Sequence, residues 1–203
     1  RLMMKSATYR HSAQADLALL EYDPENKLFA RRQRCRIEAE VIRDSILLKS
    51  GRLDLKMGGT MLVVQPSKYV DRGRLKEHSL VPRRTVYLPV YRSSGYDGQK
   101  AFDAADPAVP DGNRRTSTVA GQALYLMNSK LMHESSKVLA DLAVSSAADN
   151  RPAWLIEHIL GGGATKDERL KGEFFVKNYG DEKDALAAFS RVLLSSNEFL
   201  YVE

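Results

Sequence analysis

At 203 residues and 43% hydrophobic, with 28% charged side chains and a net charge of +5, the chain can build one sizeable apolar core or two small ones. No apolar run reaches the roughly 18 residues that a membrane-spanning helix requires, and residue 1 does not begin a signal peptide. The single Cys35 excludes an internal disulfide, a CxxC metal knuckle and a CxxCH haem attachment within the chain.

Charge is unevenly spread. Residues 1–115 carry 22 lysines and arginines against 14 acids, and the remainder 9 against 12. A basic half attracts anions such as nucleic acid, anionic glycan or an acidic partner domain, although most such excess is solvated surface. The densest pattern, Arg31 to Gly59, reads as the stretch around which the chain is organised.

The opening RLMMKSATYRHS has no initiator methionine and reads as the last turns of a helix ending near Ser6, the continuation of something upstream. Leu17, Leu19 and Leu20 lack a clear period and imply a loop or short turn. Asp23-Pro24-Glu25 is a helix start, with Asp as cap and Pro at the first position, predicting a short helix to about Arg31. A central helix follows from about Arg36 to Leu48. Cys35, Ala39, Ile42 and Ile46 form its apolar stripe, widened by Ile37, Val41 and Leu48. Cys35 on that stripe reads as a small core residue rather than a reactive thiol. Arg36 and Glu40 are four apart, and Ser50-Gly51 ends the helix.

Gly58-Gly59 is a turn, Thr60–Gln65 a short strand, and residues 66–82 a basic surface loop. Thr85–Tyr91 (TVYLPVY) is a strand by composition, on an edge because Pro89 lacks an N–H. Ser93–Arg115 is irregular, with one helical turn near Ala101–Ala105. Thr116, Ser117 and Thr118 offer caps for a helix from Val119 to Met127. A second helix spans Lys130–Val144, with Leu131, Val138, Leu139 and Leu142 inward. Asn150-Arg151-Pro152 starts a helix burying Trp154, Leu155 and Ile159, which Gly161-Gly162-Gly163 stops. Thr165 and Glu168 form a capping box for a helix to about Lys177. Asp181 caps the last, Glu182–Ser195, with Leu186, Phe189, Val192 and Leu193 inward. The expected fold is mainly α: one irregular helical domain with long loops and at most a small two-stranded β element, the C-terminal part of a larger domain. Residues 2–9 and 192–199 echo one another, and 124–132 more loosely, as similar helix endings.

Three constellations carry candidate chemistry. Glu40 and Asp44, one helical turn apart, suit acid–base work or a metal if Asp103, Asp106 or His78 adds a third ligand. No HExxH or DxDxDG pattern accompanies them, and the four histidines lack metal spacing, so no metal is assigned. Arg43 lies between the two carboxylates and points to an ion-pair network instead. Arg83-Arg84 and Arg114-Arg115 flank an irregular segment rich in tyrosine. Such forks suit carboxylate, sulfate or phosphate groups, and equally suit pairing with Glu40, Asp44, Asp103 and Asp106 to hold long loops on the helices. The run at Gly161–Lys166 is not a phosphate loop, because Thr precedes Lys and the preceding segment is helical.

Seven blocks together resemble a planctomycete-specific domain of unknown function found at the C-terminal end of secreted, cytochrome-bearing surface proteins. They are SATYRHS (Ser6–Ser12), DPENKLFARR (Asp23–Arg32), RIEAEVIRDSILLKSGRLD (Arg36–Asp54), GG (Gly58, Gly59), RRTVYLPVYR (Arg83–Arg92), the stretch Phe102–Ser129, and the closing SSNEFLYVE. The three glycines at 161–163 depart from the family's arginine and prolines, implying a looser connection. The resemblance implies no established activity, an extracytoplasmic location, and a c-type haem domain upstream rather than a cofactor in this chain. It also implies that the family's domain begins before this chain does. Three functions follow as expectations: a non-catalytic module contacting upstream domains, another protein or an anionic glycan; a hydrolase or lyase on anionic polysaccharide using Glu40 or Asp44 with an arginine clamp; and, weakest, nucleic-acid binding.

Overall fold

The computed structural model describes residues 1–59, 61, 78, 80–90, 95–110, 112–146 and 149–202. Among them are ten α-helices and one two-stranded sheet, so the fold is mainly helical. The chain divides into two compact units, Arg1–Ile37 with Leu200–Glu203, and Glu38–Phe199.

The smaller unit holds α1 (Leu2–Lys5), a 3-10 turn at Thr8–Arg10, α2 (Leu17–Tyr22), β1 (Cys35–Arg36) and β2 (Tyr201–Val202). β1 and β2 run antiparallel, with Cys35 opposite Val202 and Arg36 opposite Tyr201. α2 forms where the apolar spacing suggested a loop, because the Asp16 carboxylate accepts the Leu19 N–H at 2.7 Å and starts the helix. The helix expected over Pro24–Arg31 is not formed. Asp23 does receive amide hydrogens, but from Lys27 and Leu28, each at 2.8 Å, around a turn. Asn26 and Phe29 both take φ near 54°, which ends any right-handed helix. The Asn26 side chain then clasps Arg31 through the carbonyl at 2.8 Å and the N–H at 3.2 Å.

The arginine knot is likewise bound locally. Arg31 reaches the Pro24 carbonyl at 2.6 Å, and Arg32 and Arg34 lie over the rings of Tyr9 and Tyr201 at 5.9 and 5.3 Å. Cys35 corrects another expectation: it sits in strand β1 and is exposed, not on an apolar helical stripe. The central helix begins later than its pattern suggests: Cys35 and Arg36 are drawn into that strand, and Glu38 takes an extended conformation at the cap position.

The larger unit contains α3 (Ala39–Lys49), α4 (Asp97–Ala101), α5 (Ala120–Asn128), α6 (Lys130–Ser145), α7 (Arg151–Leu160), α8 (Lys166–Tyr179) and α9 (Glu182–Leu194), and ends within α10 (Asn197–Leu200), whose first three residues belong to it. The capping signals act as read. Asn150 accepts the Ala153 N–H at 2.9 Å, Thr165 and Glu168 cap one another, and Asp181 accepts from Lys183 and Asp184. Gly161 ends α7 at φ 85°, a conformation that glycine adopts freely.

Helix α9, not α3, is the most enclosed element. Ala185, Leu186, Ala187, Ala188, Phe189, Ser190, Leu193 and Leu194 are all buried, and the helix packs on α5, α6, α7 and α8. Its small residues let neighbouring backbones approach on several sides; Val192, expected inward, is exposed. The facing side of α6 uses the same device, with Met132, Ser135, Ser136, Leu139, Ala140 and Ala143 buried. Gly172 of α8 belongs to this packing, since a methyl there would lie 2.8 Å from Pro152 Cβ.

The sequence echoes have a physical basis. In each, a serine follows the end of a helix and its Oγ accepts the N–H three residues on. Ser6 serves Tyr9 at 3.3 Å, Ser129 serves Met132 at 3.4 Å and Ser196 serves Phe199 at 3.3 Å. The bond makes Ser129 the cap of α6, whereas Ser6 stands one residue before Ala7, the cap position of its 3-10 turn.

Candidate functional site

The carboxylates, arginines and loops singled out from the sequence surround α3. Helix α3 buries Ala39, Ile42, Ile46 and Leu47, a narrower stripe than expected, with Val41 and Leu48 exposed. Glu40, Arg43 and Asp44 project from the same helix toward chain that has little secondary structure of its own. Such chain carries carbonyls and N–H groups that no ladder satisfies, and side chains must supply the partners.

Asp44 and Arg43 do this. Both Asp44 oxygens accept the Thr85 N–H, at 2.9 and 3.0 Å, and Oδ1 also accepts the Thr85 hydroxyl at 2.6 Å. Arg43 donates to the carbonyls of Val81 at 2.6 Å and Arg83 at 2.8 Å, and to Thr85 Oγ1 at 3.2 Å. It also touches Asp44 at 3.4 Å with only 11% of its side chain exposed. Burial lowers the Arg43 pKa and the Asp44 charge raises it again, so the pair keeps the guanidinium in a site that would otherwise disfavour charge. This clamp explains why Thr85–Val90 is not a strand; Tyr91, the last residue of the expected strand, lies outside the described residues. Thr85–Tyr87 forms a 3-10 turn, and the Thr85 N–H that a ladder would use is committed to Asp44. Apart from Met61, the expected strand at Thr60–Gln65 lies outside the described residues, as does most of loop 66–82.

The remaining candidates separate. Glu40 pairs with Arg114 at 2.8 Å, and Arg114 also reaches Glu38 at 3.2 Å. Arg83 sends its guanidinium to the carbonyls of Lys56 and Gly58 and lies over the Tyr87 ring at 4.8 Å. Arg84 and Arg115 are exposed, and their side chains form no hydrogen bond or ion pair among the described residues. Asp103, at φ 58°, accepts the Ser117 N–H and hydroxyl, each at 2.8 Å. Asp106 is exposed and bonds the Ala108 N–H locally. Ser117 is thereby diverted from capping α5, whose start is held by Gln122 bonding Val119 and Ser117. The helical turn expected at Ala101–Ala105 is α4, four residues earlier, stopped by the left-handed Asp103. Among the described residues no three His, Cys, Asp or Glu side chains converge as metal ligands. One cysteine cannot form the two thioether bonds of a c-type haem, so this chain does not fit that group.

A cleft of about 280 Å³ lies against the apolar side of α3, and the carboxylates of Glu40 and Asp44 do not line it. Its wall includes Ile42, Arg43 and Ile46 of α3, Tyr96, Asp97 and Gln99 at α4, and Tyr125 of α5. Tyr125 packs edge-on to Phe102 at 6.1 Å. Burial raises the Tyr125 pKa, opposed by a hydrogen bond with the Ser129 side chain and by the Arg43 charge, so the phenol keeps its proton and can donate it. Sequence reading missed this cleft because its polar residues are scattered between Asp97 and Lys130. No sequence signal marks it: only in the fold does Gly98 prove to be a position where a methyl would collide with the Tyr125 hydroxyl.

A family model described as PSD1, a protein of unknown function (DUF1553), matches residues 1–176. No curated protein matches the chain, and no solved structure does. Among the described residues no helix is long and apolar enough to cross a membrane.

Proposed function

The chain belongs to the PSD1 family (DUF1553), and from that premise we propose that it is a non-catalytic helical interaction module for a glycan or a protein. The observation that carries this reading is the state of the two α3 carboxylates. A general acid or base has to reach the proton it transfers. Both oxygens of Asp44 are occupied by Thr85, and Glu40 is held by Arg114 away from the cleft. The same groups fix loops that have no ladder of their own.

The module is proposed to be extracytoplasmic and joined to upstream domains that include a c-type haem domain, as the sequence resemblance implies. A coding sequence with a signal peptide followed by CxxCH upstream of this chain supports that placement, and its absence removes it.

The test of the non-catalytic reading is an assay for new reducing ends or unsaturated uronate on polyuronates and sulfated polysaccharides. No turnover is expected from the native chain. Turnover that Glu40→Gln or Asp44→Ala abolishes, without loss of fold by circular dichroism, would establish the hydrolase or lyase instead.

A further inference from the structure

The cleft beside α3 narrows the interaction reading to one chemistry. At about 30 Å³ per water, its 280 Å³ holds roughly nine waters, the space of one six-membered ring with its substituents. Ligand sites of this kind combine an apolar body with a few converging polar groups. Ile42, Ile46, Phe102 and the ring of Tyr125 supply the body here.

The charges decide what fits. Arg43 looks like an anion receptor, but its donors are committed to Val81, Arg83, Thr85 and Asp44. Lys130 is shared with Glu134 at 3.6 Å. The Asp97 carboxylate and the Gln99 side-chain amide form no hydrogen bond or ion pair among the described residues. Charges of both signs line the cleft, Asp97 against Arg43 and Lys130, so a ligand of either sign meets a like charge there. A neutral ligand bearing several hydroxyls can donate to Asp97, exchange hydrogen bonds with Gln99, and accept from Tyr125. Gly98, lying between Asp97 and Gln99, lets the Tyr125 hydroxyl come against α4 beside them.

We propose that this cleft binds one uncharged sugar ring of a glycan, held by Asp97, Gln99 and the Tyr125 hydroxyl against an aromatic and aliphatic floor. The proposal rests on the interaction reading above and assigns it to the cleft rather than to the exposed arginines. Asp97 and Tyr125 are binding residues, and no bond is made or broken.

The experiment is binding of the intact chain to an array of neutral and anionic oligosaccharides. Hits are titrated by calorimetry against Asp97→Ala, Tyr125→Phe and an Arg84→Ala/Arg115→Ala double variant. Tyr125→Phe removes only a hydroxyl and Asp97 is exposed, so both are expected to fold; unchanged thermal midpoints check this. The proposal predicts neutral hits that weaken about tenfold or more in either cleft variant, as loss of a hydrogen bond to a charged or buried partner would give. The arginine double variant should leave them unchanged. Anionic hits lost only in the arginine variant overturn the cleft proposal and leave the interaction reading standing. No hit of either kind overturns the cleft proposal and the glycan half of that reading, leaving protein partners.

Discussion

Two parts of the larger unit solve the problem of staying folded in opposite ways. The packed helices α6 to α9 satisfy their own backbone and gain stability by burying side chains. Leu139, Leu155, Leu186 and Leu194 are wholly buried, and Ser135, Ser136 and Ser190 are wholly buried with them. The chain around α3 has little ladder or helix to pair its carbonyls, and side chains do that work instead. Arg43, Asp44 and Arg83 each reach backbone groups of neighbouring loops. The difference separates charge used for architecture from charge available for binding. In this protein the densest charge pattern belongs to architecture.

The contrast can be broken from either side, beginning with the larger effect. Leu186→Ala should cost about 3 to 4 kcal/mol, because an enclosed helix cannot collapse onto the cavity left behind. Denaturant unfolding reads this as a lower midpoint for the whole larger unit. Arg43→Met should cost about 3 kcal/mol by stranding the carbonyls of Val81 and Arg83 and the Asp44 charge. Unlike Leu186→Ala, its first consequence should be local, seen as protease cutting near residues 81–88 before global unfolding.

Smaller effects sharpen the same distinction. Glu168 accepts both the N–H and the hydroxyl of Thr165 at 2.7 Å, and these bonds hold its pKa below the ordinary 4.5. Its folded value lies below the unfolded one, so its stabilisation is complete above about pH 4.5 and is lost as pH falls through the folded value. Glu168→Gln should flatten that acid limb and leave neutral-pH stability within about 1 kcal/mol. Arg114→Ala, removing an exposed pair with Glu38 and Glu40, should cost less than about 1 kcal/mol, and the loss should shrink further in high salt.

The same contrast explains what could be read from sequence. Helices α7 to α9 announce themselves because Asn150, Thr165 with Glu168, and Asp181 cap by short-range rules, and α6 because apolar residues recur at helical spacing. The segments near α3 were misread where a distant partner won. Thr85 is β-branched and sits in a strand-like run, yet Asp44, 41 residues away, takes its N–H. Ser117 sits where a cap belongs, yet Asp103 takes it. Asp23 has the right neighbours for a helix start, but the left-handed Asn26 turns the chain back. Glu40, Arg43 and Asp44 were legible as a network; the cleft was not, because only folding brings Asp97, Gln99 and Tyr125 together.

The central claim is that Asp44 acts as a partner for irregular backbone, and amide hydrogen exchange of Asp44→Ala against the native chain tests it most directly. The account predicts that protection at Thr85 falls at least tenfold and that Tyr87 and Leu88 follow, while α6 to α9 keep theirs. Unchanged protection at Thr85 would contradict it.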